Sequence, residues 1–442
     1  MTAPLITEMD WIEPATLFSR LAHLPGVAFL DSAATGDSRA RASYICVDPA
    51  EEVRLRKPSM AEARAALRAL WPTGAPEGPL PFTGGLVGMM SYETGLSGHG
   101  LQSRHAPDAD IPAFIARRYD LVIGFDHHRQ RAWYFVSNRA GMAAQDRLAW
   151  LVSATSKASR LAVATPFRWR ELTGYDDYCA KIEAVKRFIT AGDIYQANIS
   201  TRFEAVRPDA FDPVEAYLRL RGGSPAPFGV YLDLGEGSSL LSASPERFLS
   251  LDRDGNVETR PIKGTSPRFA DPERDRESGE RLAASEKDRA ENLMICDLLR
   301  NDLSMVSVPG SVKVTQLVGL EKFASVWHLV SVVQSRLSPG KTAIDLLDAT
   351  MPGGSITGAP KRRAMEVIDL LEDGPRGPNF GCLFRIGGDG AMDSSLIIRS
   401  MAVTQSRIIA QAGGGIVADS VASAEYEELR TKIAPMLAVA SD

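Results

Sequence analysis

No stretch of this sequence strings together the roughly 18–20 apolar residues that a membrane-spanning helix needs. Its opening, MTAPLITEMDW, has neither the basic n-region nor the apolar h-region of a secretory signal. Cysteine is scarce: Cys46, Cys179, Cys296 and Cys382 lie far apart and form no C-x-x-C pair. That speaks against a disulfide framework or a thiolate zinc site and predicts reduced thiols in a cytoplasmic protein. Positive charge is not in excess. With 50 Lys and Arg against 55 Asp and Glu, the net charge of −5 argues against the basic face of a nucleic-acid binder. An anionic small substrate stays open, because a few local cations or a metal can recruit one. Of the six histidines, His127 and His128 stand side by side in an expected hairpin turn and read as surface residues, not metal ligands.

Several catalytic motifs are also missing. LSPGKT has the ending of a phosphate-binding loop, but Ser335 stands where the upstream glycine is required. GGSITGAPK lacks the Gly-Lys-Ser/Thr ending, GGGIVADS lacks the G-x-G-x-x-G spacing, and there is no H-E-x-x-H. Nucleotide chemistry is therefore disfavoured.

What is present is a chain of 442 residues, 44% hydrophobic and 24% charged, long enough for a deep core and an internal site. IPAFIARRYDLVIGFDHHRQRAWYFV predicts a long antiparallel hairpin. Tyr178, Ile182, Val185 and Ile189 recur at helical spacing after Asp176, an expected N-cap, and DIYQANISTRF follows as a strand. SSLIIRSMAV and RIIAQAGGG read as adjacent strands, and the last 20 residues as a helix. The Ala- and Ser-rich stretch ending near residue 165 marks a boundary between an N-terminal region, 1–165, and a catalytic region, 166–442. Short strands in hairpins with interspersed helices predict an α+β fold, mostly antiparallel.

Two expected helices carry paired acids. Asp288 and Glu291 lie three apart, as do Glu425 and Glu428, with Lys432 one turn further. Two such faces can clamp one hard cation, since Mg²⁺ takes one or two carboxylates plus substrate oxygens and water. They can equally be two solvated surfaces.

SASPERF, ETRPIKGT, ENLMICDLLRND, MPGGSITGAPK, the IIRS strand and GGGIVADSVASAEYEE stand in order across residues 242–428. With FLDSA, PFTGGLVGMMSYE and RRYDLVIGFDH in the first half, they make the chain resemble the chorismate-utilising enzymes over nearly its whole length. The resemblance implies a fold of β-sheets packed face to face with helices outside. It implies Mg²⁺ on Glu291 and Glu428, supported by Asp288 and Glu425, with the substrate's ring carboxylate beside Gly264 and Thr265. It further implies that Arg399, Lys432 and the backbone of Gly413, Gly414 and Gly415 receive the enolpyruvyl carboxylate, and that His328 stands near the ring. The segment around Asp31–Ser32 and Arg41–Tyr44, including Ser43, resembles the tryptophan pocket of the amine-forming members. Asn379, Phe384 and Arg385 depart from the family pattern, which has a tyrosine at the first position and Gly-Tyr at the other two.

Two positions separate the branches of the family. Members that add water use a lysine base where this chain has Gln196, and a neutral amide cannot deprotonate water. Members that aminate C2, giving anthranilate, carry a small residue where this chain has Lys263. The resemblance thus implies amination at C4, giving 4-amino-4-deoxychorismate for p-aminobenzoate and folate, with Lys263 as a covalent nucleophile at C2. An amine attacks only in its neutral form. A two-residue turn at Asp254–Gly255 would place Glu246 directly across a hairpin from Lys263, with Cβ atoms about 4.5–5.5 Å apart, ready to protonate the leaving hydroxyl. The chain shows no glutaminase signature, so ammonia is expected from a separate glutamine amidotransferase subunit. The alternatives are the C2-aminating branch and a tryptophan-binding paralogue without catalysis.

Overall fold

Strands such as Ala28–Asp31, Ala42–Leu55 and Phe114–Asp126 are rich in Val, Ile, Phe and Tyr, and for most of their length both faces are buried. Successive side chains point to opposite faces, so each such strand feeds two cores. Phe29, Ile45, Leu86 and Leu121 join one cluster that also takes in Leu17, Leu67 and Leu429 from helices. Their neighbours Ala28, Cys46, Val87 and Val122 join a second cluster drawn almost wholly from strands. One face of the strands is therefore covered by helices and the other packs on further strands. This computed structural model describes residues 5–34, 36–37, 39–71, 77–137, 144–156, 166–323 and 326–440.

Among the described residues every strand ladder is antiparallel, and the strands join in one hydrogen-bonded network. This is the α+β, mostly antiparallel class that the sequence predicts. The end of the expected boundary, 157–165, lies outside the described residues. The network runs across it, because Ala28–Asp31 pairs with Phe228–Gly235 and Gly85–Met90 with Cys382–Gly387. No described helix is long and apolar enough to cross a membrane.

Several local expectations are corrected. The helix expected to follow an N-cap at Asp176 starts two residues earlier, as Tyr175–Thr190 with Gly174 at the N-cap. His128 is exposed, but His127 is half-buried. Its Nε2 lies 2.7 Å from Ser43 Oγ and its ring meets Trp11 edge-on. The turn after Leu251 is wider than two residues. Asp252 Oδ1 accepts the N–H groups of Asp254 and Asn256, so Leu251 pairs with Val257 and Ser250 with Glu258. That register is one residue off the expected one, and the hairpin then ends at Arg260–Pro261. Proline has no N–H to continue that hairpin, and strand Ile262–Pro267 pairs with Val326–Arg336, the partner that Asn256–Thr259 already has on its other edge. Glu246 and Lys263 are therefore not a cross-strand pair.

SSLIIRSMAV is not one strand. Met392–Leu396 pairs with Arg247–Leu251 and Cys382–Gly387, whereas Ser400–Val403 pairs with Ser238–Ser244 and Arg407–Ile416. The turn between them places Arg399 in the left-handed region, at φ +54°. This bend delivers Arg399 to the site.

Candidate active site

Helix Glu286–Ser304 is capped by Ser285, whose Oγ accepts the Asp288 N–H and donates to Asp288 Oδ2 at 2.6 Å. Asn292, Ile295 and Leu299 are its buried stripe, which turns Asp288 and Glu291 toward strand Ile262–Pro267. Helix Ala422–Leu437 buries Leu429, Ile433 and Met436 and presents Glu425, Glu428 and Lys432 on another face. These helices, the glycine end of strand Arg407–Ile416 and the Arg399 bend enclose a cavity of about 550 Å³. A larger groove of about 1450 Å³ lies elsewhere, around Arg253, Lys313 and Arg336, and contains none of the residues expected to bind the substrate or metal, although Arg41 of the expected tryptophan pocket borders it.

The cavity brings together Lys263, Glu246, Gly264 and Thr265, the four helix acids, and Arg399, Lys432, Gly413 and Gly415. Gly414 is not part of the lining, and the place of its absent Cβ lies 3.2 Å from Glu425 Oε2 and 3.7 Å from Lys432 Nζ. Gln196 is fully buried beneath Gly415. His328 does not reach the cavity lining. Its Nδ1 lies 3.1 Å from both the Gly264 carbonyl oxygen and Thr265 Oγ1, behind the Gly-Thr step. A carbonyl can only accept, so Nδ1 carries the proton, and burial holds the ring's pKa below the usual imidazole range.

Charges of both signs meet in the cavity, with Lys432 2.7 Å from Glu428 and Lys263 3.9 Å from Glu291. At the acidic end, Glu425 Oε1 takes Lys287 Nζ at 3.1 Å and Ser420 Oγ at 2.7 Å, and Asp288 is held by Ser285. Burial pushes the Glu291 carboxyl above the usual range against the pull of Lys263 and Lys287, with Asp288 and Glu425 adding to the rise. Burial also opposes ionisation of Glu428, but Lys432 at 2.7 Å outweighs it and keeps that pKa low. Lys432 Nζ also donates to the Gly413 carbonyl at 3.0 Å. Burial lowers the pKa of Arg399 against the pull of Glu428.

Lys263 Nζ lies 3.9 Å from Glu291 Oε2, so the carboxylate it pairs with is not Glu246. Glu246 nonetheless opens on the same cavity. Burial raises its pKa, against a 2.8 Å hydrogen bond from Ser355 Oγ and the charge of Lys263. Ser355 sits on a segment anchored by Lys361, whose buried ammonium donates to Asp302 Oδ2 at 2.6 Å, Thr350 O at 2.9 Å and Pro352 O at 2.8 Å.

A divalent cation can be accommodated at the acidic end. Among the described residues no three metal-ligating side chains converge as a preformed cage. A site completed by substrate and water needs only one or two carboxylates. Glu291 and Glu428 come from different helices onto one cavity, and the desolvation that raises Glu291 is what a bound cation would relieve.

Ser32 lines a second cavity of about 460 Å³ with Asp31, Arg39, Tyr44 and Phe228. Ser43 does not line it: fully buried behind, its Oγ accepts the Ser32 N–H. Among the departures from the family pattern, Asn379 is buried beside Phe380, Phe384 is core, and Arg385 joins Asp393 at that second cavity. Sequence reasoning missed Lys287, Ser355, Asn198 and Gln411. Helical spacing to Glu291 signalled Lys287, and the period of two from Gln196 signalled Asn198; Ser355 lay unassigned within a quoted motif.

The chorismate binding enzyme family matches residues 25–438 of the chain. The chain is 40% identical over 435 residues to aminodeoxychorismate synthase component 1 of Salmonella typhimurium, covering 98% of this chain and 91% of that one. It is 43% identical over 358 residues to the protein of the same name from Klebsiella aerogenes, covering 81% and 77%. Its fold matches the crystal structure of anthranilate synthase component I from Streptococcus pneumoniae with a TM-score of 0.79 at 28% identity, over 90% of this chain and 92% of that one.

Proposed function

The chain belongs to the chorismate binding enzyme family, and from that premise we propose that it acts as component 1 of aminodeoxychorismate synthase. It would convert chorismate and ammonia to 4-amino-4-deoxychorismate, for p-aminobenzoate and folate synthesis. The observation that carries this reading over C2 amination is Lys263 in the wall of the same cavity as Glu246, whose carboxyl is biased toward the protonated form.

In the proposed reaction Lys263 Nζ forms a bond to ring C2, both ring double bonds shift, and the C4–O bond breaks. Glu246 gives its proton to the departing hydroxyl, which leaves as water, and recovers one from the new C2 ammonium. Ammonia then bonds to C4, both double bonds shift back, and the C2–Nζ bond breaks as Glu246 returns the proton to Nζ. The surplus proton on the C4 nitrogen resets Glu246. Two displacements put the amino group at C4, which a single attack at C2 would not. Arg399 and Lys432 hold the enolpyruvyl carboxylate, and His328 keeps the Gly264–Thr265 step in place from behind. Glu291 and Glu428 would hold Mg²⁺, which supplies positive charge for the ring carboxylate.

The ammonia donor is proposed to be a glutamine amidotransferase subunit, and the cavity at Ser32 to be the place where tryptophan would bind. One assay tests the reading: purified chain with chorismate, Mg²⁺ and ammonium, products identified by mass and chromatography. Aminodeoxychorismate is the expected product. Anthranilate, or no consumption of chorismate, would overturn it. Glutamine should replace ammonium only when the amidotransferase is added.

A further inference from the structure

Every acid of the cavity is already held by a group of the protein. Glu425 Oε1 lies 3.1 Å from Lys287 Nζ, Glu428 Oε1 2.7 Å from Lys432 Nζ and Glu291 Oε2 3.9 Å from Lys263 Nζ. Asp288 takes the Ser285 hydroxyl instead. Three ammonium groups thus stand against three of the four carboxylates. Lys432 differs from the other two in what else it touches. It lies four residues after Glu428 on helix Ala422–Leu437, and its Nζ reaches across to the Gly413 carbonyl, 3.0 Å away on strand Arg407–Ile416. With those two acceptors engaged, one of its three N–H groups remains for a ligand. The Lys432 side chain is 27% exposed and that of Glu428 55%, and both line the cavity. An ion pair so exposed is weak, so a ligand of moderate affinity can open it.

One side chain therefore stands between two opposite demands. A divalent cation arriving on Glu428 repels the ammonium beside it. A carboxylate arriving on Lys432 draws that ammonium toward itself and leaves Glu428 to the cation. Either ligand thus favours the other, and linkage makes the effect reciprocal. We propose that the Lys432–Glu428 pair is a switch that couples a divalent cation to an anionic substrate in this cavity. Closed, it holds back the cation; opened by the substrate's carboxylate, it releases Glu428 as a metal ligand. The inference rests on the roles proposed above for Glu428 and Lys432.

The test reads Mg²⁺ affinity directly, by calorimetry, with no ammonium and no turnover. Lys263→Ala serves as the parent, because it lacks the amine that would bond to chorismate. Mg²⁺ is titrated into the parent and into Lys263→Ala with Lys432→Met, each alone and saturated with chorismate. Without chorismate, Lys432→Met should lower the Mg²⁺ Kd about three- to fivefold, the upper range for an ion pair of this exposure. With chorismate the two Kd values should coincide, because the pair is already open in the parent. Lys432→Gln should repeat the result, which assigns it to the charge and not to the packing of the side chain. An equal tightening with and without chorismate would make Lys432 a fixed background charge and overturn the switch. A weaker Mg²⁺ affinity without chorismate would make it a support that orients Glu428, and an unchanged one would make the pair irrelevant; each overturns the switch. Chorismate titrated into the parent should give its own binding heat. Its absence would refute the proposed substrate, while the comparison without chorismate still judges whether Lys432 holds back the cation.

Discussion

Ser355 Oγ donates a 2.8 Å hydrogen bond to Glu246 Oε1, the carboxyl that the proposed reaction needs as an acid. The bond favours the ionised form, whereas burial favours the protonated form and prevails. Glu246 acts while protonated, so activity should be present below its raised pKa and fall as pH rises through it. Ser355→Ala removes the stabilisation of the carboxylate, raises that pKa further and should move the alkaline limb of the kcat profile to higher pH. Glu246→Gln should lower kcat by about 10²–10⁴-fold, the usual worth of a positioned acid, and abolish the limb. A limb unchanged in Ser355→Ala would remove Glu246 from the acid role.

Lys263→Ala should end covalent adduct formation and reduce aminodeoxychorismate steeply, and the nitrogen of any residual product should appear at C2. Lys263→Arg should be no rescue, because a guanidinium stays protonated and cannot attack. Intact mass of the chain after incubation with chorismate, followed by digestion to the peptide containing Lys263, reads both variants. Aminodeoxychorismate at the wild-type rate from Lys263→Ala would show the lysine to be a bystander.

Glu291→Gln and Glu428→Gln should each cut activity by orders of magnitude, with unfolding midpoints near wild type. Because the Glu291 pKa is raised, its carboxylate is lost as pH falls, and the Mg²⁺ concentration for half-maximal activity should rise toward acid pH. A magnesium titration at several pH values checks this. Full activity in a chelator would exclude the metal.

Lys361→Met should destabilise the fold by about 3–5 kcal/mol, because it leaves Asp302 buried without its partner. The loss also frees the Thr350 and Pro352 carbonyls and loosens the segment that carries Ser355. Denaturant unfolding gives the first effect. Lys361→Met with Asp302→Leu should recover part of it, because the stranded charge is gone.

The sequence by itself determined the antiparallel α+β class, because alternating apolar residues and turn signals are local. Helical spacing likewise put Asp288 with Glu291 and Glu425 with Glu428 on single faces, and the ordered motifs with Lys263 and Gln196 carried the branch of the family. Only the tertiary structure decided how these pieces meet. The one-residue change of register at Leu251 and the end of the hairpin at Pro261 depend on which backbone groups find partners, and they replaced an expected Glu246–Lys263 pair with Lys263–Glu291. The left-handed bend at Arg399 came from two ladders competing for one apolar run. His328 moved behind the Gly264 carbonyl for a similar reason. Strand pairing set its position, and no neighbour in the chain could reveal it.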